Sequence, residues 1–377
     1  MAPRKYQDCT RCVLDSNDSS VITFDEQGVC SLCRIYDDAV KKSVFRGKEG
    51  EEKLKALVQE VKNAGVNNQY DCIIGLSGGV DSTYVAWKVK EMGLRPLAVH
   101  LDNGWDSELA VKNIENIVRK LGIDLHTHVI NWNEFRDLQL AYFKAGVIDL
   151  EIPTDHAIMA VLYHEARKNK IKYILSGHNL VTEGFLPDDW IHHKFDVLNL
   201  KAIHKRFGSA KLKTYPLLPF FEKFYYEKIL RLKQISVLNY LPYEKNEAKQ
   251  LIMEKLNWRD YGGKHYESIF TRFYQAYILP RKFHVDKRKS HFSTLICSGQ
   301  LTREAALEML KHDPYPAEEM MNADRAYVIK KLGFTEAEFE AYMKAPVKKH
   351  NDYPSYMNIY FKLRPLIRIY RKVFPRK

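Results

Sequence analysis

Residues 71–84 constrain this 377-residue chain more than any other stretch. They read Asp-Cys-Ile-Ile-Gly-Leu-Ser-Gly-Gly-Val-Asp-Ser-Thr-Tyr: a short apolar run, a turn at Ser77-Gly78-Gly79, then a helix opening at Asp81-Ser82-Thr83. Such a turn joins a buried strand to a helix N-terminus. Unpaired backbone N–H groups and the positive end of the helix dipole then point at an anion. Gly78 and Gly79 carry no Cβ, so the backbone can come close to a phosphate, and Ser77 and Ser82 add hydroxyl donors. The pattern predicts a nucleotide phosphate site suited to pyrophosphate. No Lys sits in this loop, so it is not the usual P-loop. The Gly-x-Gly-x-x-Gly dinucleotide fingerprint is absent too.

The run Ser77-Gly78-Gly79-Val80-Asp81-Ser82 resembles the signature of the ATP pyrophosphatases, which include GMP synthetase, asparagine synthetase and tRNA-thiolating enzymes. The resemblance implies that ATP is split to AMP and pyrophosphate, and that Asp81 helps to place Mg²⁺ on the phosphates. A glycine turn opening an ordinary βα unit is the plainer alternative, but six matched positions after a strand count against it.

Apolar spacing predicts a surface helix over 48–67, followed by a strand and phosphate loop at 71–79 and a helix to about Met92. Strands are expected at 95–101, 126–130 and 172–175, with helices at 107–121 and 155–168 between them. This alternation predicts βαβ crossovers and a mostly parallel sheet. Asp102 ends the second strand and Gly177-His178 follow the last, at the sheet edge where ligands bind. All three are candidate nucleotide contacts, Asp102 for a second ion or the nucleotide. Beyond 201 the alternation fades. The aromatic runs at 220–226 and 270–279 predict a helical substrate region, and their spacing reads as core rather than as RNA-stacking rings. Two or three small helices are expected over 299–345, one capped by Thr302 and one opened by a Thr335/Glu338 capping box.

Four of six cysteines form Cys9-x-x-Cys12 and Cys30-x-x-Cys33, separated by seventeen residues. Two such knuckles can converge four thiolates on one ion, and the expected metal is structural Zn²⁺. An iron–sulfur cluster and a pair of disulfides are the alternatives, the latter rare in the cytoplasm. A strand and turn at 21–28 would complete a zinc-ribbon-like element. Cys72 reads as packed hydrophobe, and Cys297 has no partner that makes it a nucleophile.

The formal charge of +12 points to nucleic acid, an anionic membrane surface or a nucleotide-bearing substrate. Positive charge clusters at Arg281-Lys282, Lys287-Arg288-Lys289 and residues 362–377, the last mixed with apolar residues. No apolar run reaches the roughly 18 residues of a transmembrane helix. The N-terminus does not read as a secretory signal, and a cytoplasmic location is expected.

Taken with the cysteine pairs, the remaining motifs narrow the resemblance. They are His100-Leu-Asp-Asn-Gly-Trp105, Pro153-Thr-Asp-His156, Ser176-Gly-His-Asn179, Trp258-Arg-Asp-Tyr-Gly-Gly-Lys-His265 with Glu267-Ser268, and Asp286-Lys-Arg-x-x-His291. Nearly the whole chain resembles the WbpG-like N-acetyl sugar amidotransferases of bacterial surface-polysaccharide (O-antigen, lipopolysaccharide) synthesis. The resemblance implies that an acetamido group on a UDP-linked diacetamido sugar becomes an acetamidino group. Ammonia would come from a HisH-like glutaminase with a HisF-like delivery subunit. No nucleic acid is expected to take part, and a peripheral contact with the inner membrane is the remaining partner expectation. A tRNA-modifying enzyme that adenylates a base for thiolation or amination is the alternative.

Within that resemblance, Lys264 and Arg288 are expected to contact the α-phosphate or a sugar carboxylate, and His265 to orient substrate. Glu151, after the apolar segment 147–150, is expected to shape the substrate mouth or activate ammonia. The expected fold is α/β: a parallel open sheet of the ATP pyrophosphatase (adenine nucleotide alpha hydrolase-like) type. Its expected parts are a Cys₄ element at 1–46, the ATP domain at 47–215, and a mostly helical substrate-binding region at 216–377.

Overall fold

The structure, a computed structural model, describes residues 5–359. The basic segment 362–377 lies outside them. Five strands form one sheet: β1 Cys72–Gly75, β2 Pro96–Asp102, β3 Asp124–Val129, β4 Tyr173–Ser176 and β5 Lys233–Ser236. All neighbours are parallel, in the order β3-β2-β1-β4-β5. The expected parallel α/β sheet is present. The chain winds outward from β1 through β2 to β3, then returns to place β4 on the other side of β1.

Alternation along the strands divides the core into two layers. Cys72, Ile74, Ala98, Tyr173 and Leu175 face one way, packing with buried residues of the helices Gly47–Gly65, Val80–Glu91 and Lys245–Leu256. Ile73, Leu97, Val99, Leu101 and Ile174 face the other, toward Trp132–Ala145, Ile152–Lys168 and Val197–Phe207. Both faces are covered, as a parallel sheet requires.

Helix ends follow local chemistry. Ser107 and Asn131 accept from backbone N–H groups at the starts of their helices, while Gly122 and Gly146 close them with left-handed backbone. Thr302 caps Arg303–Leu310, and Thr335 with Glu338 forms the expected capping box.

Three expectations need correction. The strand at 21–24 is reduced to one antiparallel bridge, Phe24 with Cys30, because this segment turns: Ile22 N–H donates to the Ser19 carbonyl at 3.4 Å. The run at 220–226 is mostly surface, with Phe220, Phe221, Phe224 and Tyr225 at 55, 82, 50 and 42% exposure. Its five-residue helix passes into a π-helical turn that sends only Tyr226 inward. The run at 270–279 does supply core, through Phe270, Phe273, Tyr274, Ile278 and Leu279. Finally, region 216–377 contributes β5 to the sheet besides its helices. That strand is only Lys-Gln-Ile-Ser, at an edge, with too little apolar pattern to be seen in sequence.

A buried polar network fastens residues 350–355 to the loop after β4. His192 and His350 stack at 4.3 Å, and Asp196 accepts from the Ser355 hydroxyl at 2.6 Å. Asp149, 3% exposed, accepts from Lys194 Nζ at 2.8 Å and from His192 N–H at 2.9 Å. Burial pushes its carboxyl up, but Lys194 and His350 hold it below the ordinary range. Replacing Asp149 by Ala strands these donors and is expected to cost about 3–5 kcal/mol, read from urea unfolding; a loss under 1 kcal/mol would contradict this account.

Candidate active site

The strand order reverses between β1 and β4, and the crevice at their carboxyl ends is where open α/β sheets bind ligands. The loop from β1 enters it. Gly78 adopts φ +79°, and a Cβ there would fall 2.9 Å from the Tyr261 hydroxyl oxygen. Its carbonyl accepts from Trp258 Nε1 at 2.7 Å and from the Tyr261 hydroxyl at 3.0 Å, turning it away from the crevice. Ser77 and Ser82 hydroxyls lie 3.2 Å apart, and Gly79 N–H donates to Ser77 Oγ at 3.3 Å. Gly79 is the N-cap of the helix Val80–Glu91, with no side chain over its free N–H groups. The loop from β4 comes very near: a Cβ on Gly177 would fall 2.9 Å from Asp81 C and Ser82 N. These donors suit phosphate oxygens.

Charges converge on this loop from several elements. Asp81 accepts from the Tyr243 hydroxyl. Its carboxyl is pushed up, first by burial and then by Glu183. Glu183 pairs with Lys264 Nζ at 3.2 Å. Burial opposes its charge, yet Lys264, His178 and His265 pull the carboxyl down to about 2. Lys264 also lies 3.4 Å from His291 Nδ1, which lies 3.2 Å from the Thr182 carbonyl oxygen. Lys245 is near enough to Asp81, Lys264 and Glu183 to feel their charges, and burial lowers its ammonium. Glu267 lies 3.6 Å from His265 and borders Gly79. Burial pushes its carboxyl up, but His265 holds it down. His265 has φ +62°, an uncommon strain for a side chain of this size.

The sequence-expected residues therefore fall into two groups. Ser77, Gly78, Gly79, Asp81, Ser82, Gly177, Lys264 and His265 gather around the loop, with His178 on its exposed side. Asp102 turns back to accept from Gly104 N–H at 2.9 Å. Arg288 is engaged elsewhere, by Asp286 at 2.7 Å and the His312 carbonyl at 2.8 Å. Glu151 lies at the start of the helix Ile152–Lys168, 3.2 Å from Gln275 Nε2 and 3.8 Å from Lys287 Nζ. Sequence reading missed Tyr243 and Lys245, because the short strand β5 delivers them. Glu183 and His291 stood within recognised motifs, with no signal that they would share Lys264.

Cys9, Cys12, Cys30 and Cys33 are fully buried, and their sulfurs lie within 4.8 Å of one another. Three of their separations are 3.9, 3.7 and 3.6 Å. A tetrahedral ion with sulfur at about 2.3 Å needs edges of about 3.8 Å. Arg11, Cys12 and Cys30 N–H groups donate to Cys9 Sγ at 3.3–3.4 Å, as suits a thiolate. The four thiols are free and form a metal-binding cluster.

Two families match parts of the chain: "NAD synthase" over residues 50–174, and "LPS biosynthesis protein WbpG-like, C-terminal domain" over 267–366. Among curated relatives, the tRNA-specific 2-thiouridylase MnmA 2 of Fusobacterium nucleatum is 24% identical over 48% of this chain and 50% of its own. The tRNA-specific 2-thiouridylase MnmA of Shigella boydii is 30% identical over 28% of this chain and 33% of its own. The chain thus spans half or less of these relatives. An NH3-dependent NAD synthetase structure from Campylobacter jejuni is 17% identical over 56% of this chain and 84% of its own, at a TM-score of only 0.31.

The tRNA-specific relatives overturn the expectation that nucleic acid plays no part, and none of these matches supports the two ammonia-supplying subunits. The expectation failed because one chain matches in parts an NAD synthase model, a WbpG-like model and tRNA-specific enzymes, so its phosphate loop cannot exclude an acceptor. Among the described residues, no helix is long and apolar enough to cross a membrane.

Two measurements test this geometry. Gly177→Ala is expected to force the β1 and β4 loops apart, costing about 1–3 kcal/mol and weakening ATP binding in calorimetry; wild-type affinity would refute the close approach. Metal analysis is expected to find about one ion per chain, lost in Cys30→Ser; an unchanged content in that variant would break the four-thiolate assignment. The Ser/Gly loop at the β1/β4 switch point and the matched segments are those of the PP-loop, or ATP-pyrophosphatase, superfamily.

Proposed function

We propose that the protein adenylates a carbonyl oxygen of its acceptor and that a nucleophile then displaces AMP. The observation that carries this reading is the loop at 77–82, whose hydroxyls and uncapped helix N-terminus stand beside Asp81, itself within the field of Lys245 and Lys264. A carbonyl oxygen of an amide or a base is a poor leaving group. Its attack on the α-phosphorus of ATP forms a P–O bond and breaks the bond to pyrophosphate. The acceptor carbon then bears AMP, a good leaving group. A nitrogen or sulfur nucleophile adds to that carbon, and AMP leaves with the original oxygen.

In this reading the loop holds the departing pyrophosphate, while Lys264 and Lys245 offset charge on its oxygens. Asp81 and Glu183 fit Mg²⁺, which would neutralise further phosphate charge when bound. The Cys₄ cluster fits Zn²⁺ with a structural role, since all four positions are filled by the protein.

The curated relatives favour a tRNA base as acceptor, and the +12 charge suits a polyanion. A second acceptor, the acetamido group of a nucleotide-linked sugar for surface polysaccharide, is favoured by the WbpG-like match over 267–366. The cysteines add to it. Cys72 is buried in β1 and Cys297 lies against Cys33, so among the described residues neither is a free thiol at the loop. Thiolation would need its sulfur from outside those residues, whereas ammonia attack needs no cysteine.

Purified protein with ATP, Mg²⁺ and ammonium or sulfide is to be given unmodified tRNA or a UDP-linked diacetamido sugar. AMP release that depends on one acceptor, with replacement of O by NH or S in its mass spectrum, is the expected result. ADP release, or AMP without acceptor modification, would defeat the proposal. Asp81→Ala is expected to lower turnover by about 100-fold or more with unchanged circular dichroism; near-normal turnover would remove Asp81 from its role.

A further inference from the structure

We propose that the Cys₄ centre positions the nucleotide site, holding Glu183 and His291 against Lys264 through two packed arms. This rests on the reading that the loop at 77–82 receives ATP.

The first arm starts at Cys30, the N-cap of the helix Ser31–Ser43, with Cys33 in its first turn. One turn on, Tyr36 is 3% exposed and its ring packs on Phe185 at 5.2 Å. The same ring covers Gly184, where a Cβ would fall 2.6 Å from it. Gly184 ends the helix Leu180–Glu183, and Glu183 is the residue that pairs with Lys264. Four residues cannot sustain a helix alone. Its place depends on what packs against it, and Tyr36 is a large part of that.

The second arm runs through the helix Lys287–Cys297. Its last residue puts Cys297 Sγ 3.8 Å from Cys33 Sγ. Its first turn is fixed to the loop between the cysteine pairs: Lys289 Nζ donates to Asp15 at 2.6 Å and to Asp18 at 2.9 Å. Arg303 reaches the Cys12 and Cys9 carbonyls at 3.0 and 3.2 Å, so the next helix is also anchored on the knuckle. Between these anchors lies His291, 3.4 Å from Lys264. The arms are joined as well, since Phe185 N–H donates to Thr294 Oγ1 at 3.0 Å.

Both arms thus end on one lysine whose charge Asp81 of the phosphate loop feels, and neither runs through the sheet. A metal that folds the knuckles therefore also stiffens the walls of the site. Loss of metal should loosen residues 178–186 and 286–293 while β1 and β2, held by their own ladder, stay protected.

The test compares hydrogen exchange and binding of a non-hydrolysable ATP analogue in metal-loaded protein, chelator-stripped protein and Tyr36→Ala. Stripping is expected to lose protection at 178–186 and 286–293, spare 72–76 and 96–102, and weaken the analogue about tenfold, with recovery on adding Zn²⁺. Tyr36→Ala, which keeps every cysteine, is expected to retain its metal and show the same weakening with protection lost at 178–186; Tyr36→Phe restores both. If Tyr36→Ala keeps wild-type protection and affinity, the proposal is overturned, even if stripping unfolds the chain. If metal-loaded protein binds no analogue while the exchange pattern still follows the metal, the ATP reading fails and the mechanical coupling stands.

Discussion

The close approach of two backbones at the sheet's switch point is the contact on which the rest of this structure depends. Only hydrogen fits between Gly177 and the Asp81–Ser82 peptide, so the loop after β4 is locked against the first turn of the helix Val80–Glu91. The parallel pairing of Ile73 with Ile174 and of Ile74 with Leu175 sets the register that makes the approach possible.

Around that contact the protein gathers opposite charges that would be costly to bury singly. Asp81, Glu183 and Glu267 face Lys245 and Lys264, with His265 and His291 among them. Glu183 is held ionised by its lysine, whereas Asp81 has a neutral tyrosine hydroxyl and keeps a raised carboxyl. His291 is pushed well below its usual range first by burial and then by Lys264 and Lys245, so it sets no like charge beside Lys264. Arriving phosphates and their cation would enter a field already balanced by fixed groups, so little reorganisation is needed.

The regions differ in what they decide. The segment through β4 carries the Ser/Gly loop and matches the NAD synthase model. Segments after β5 bring Tyr243, Lys245, Lys264 and His291, which make the walls of this particular site. The cysteine element stands behind those walls instead of beside the loop, as its contacts with Phe185, Lys289 and Cys297 show.

Much of this was legible in the chain. The run at 71–84 fixed a strand, a turn and a helix start because glycine freedom and serine donors are local properties. Strands β1, β2 and β4 carry enough Ile, Leu and Val to be seen, and two Cys-x-x-Cys pairs imply four convergent sulfurs. The edge strand Lys-Gln-Ile-Ser has no such pattern, since parallel pairing with β4 stabilises it more than its own side chains do. The aromatic run at 220–226 misled because periodicity reports a face and not what covers it. By itself, then, the sequence determined the strand, turn and helix start at 71–84, the four-cysteine cluster and the parallel α/β class. Only the tertiary structure decided that Lys264 would be shared by Glu183 and His291, because those partners stand well apart in the chain and meet only when separate elements pack.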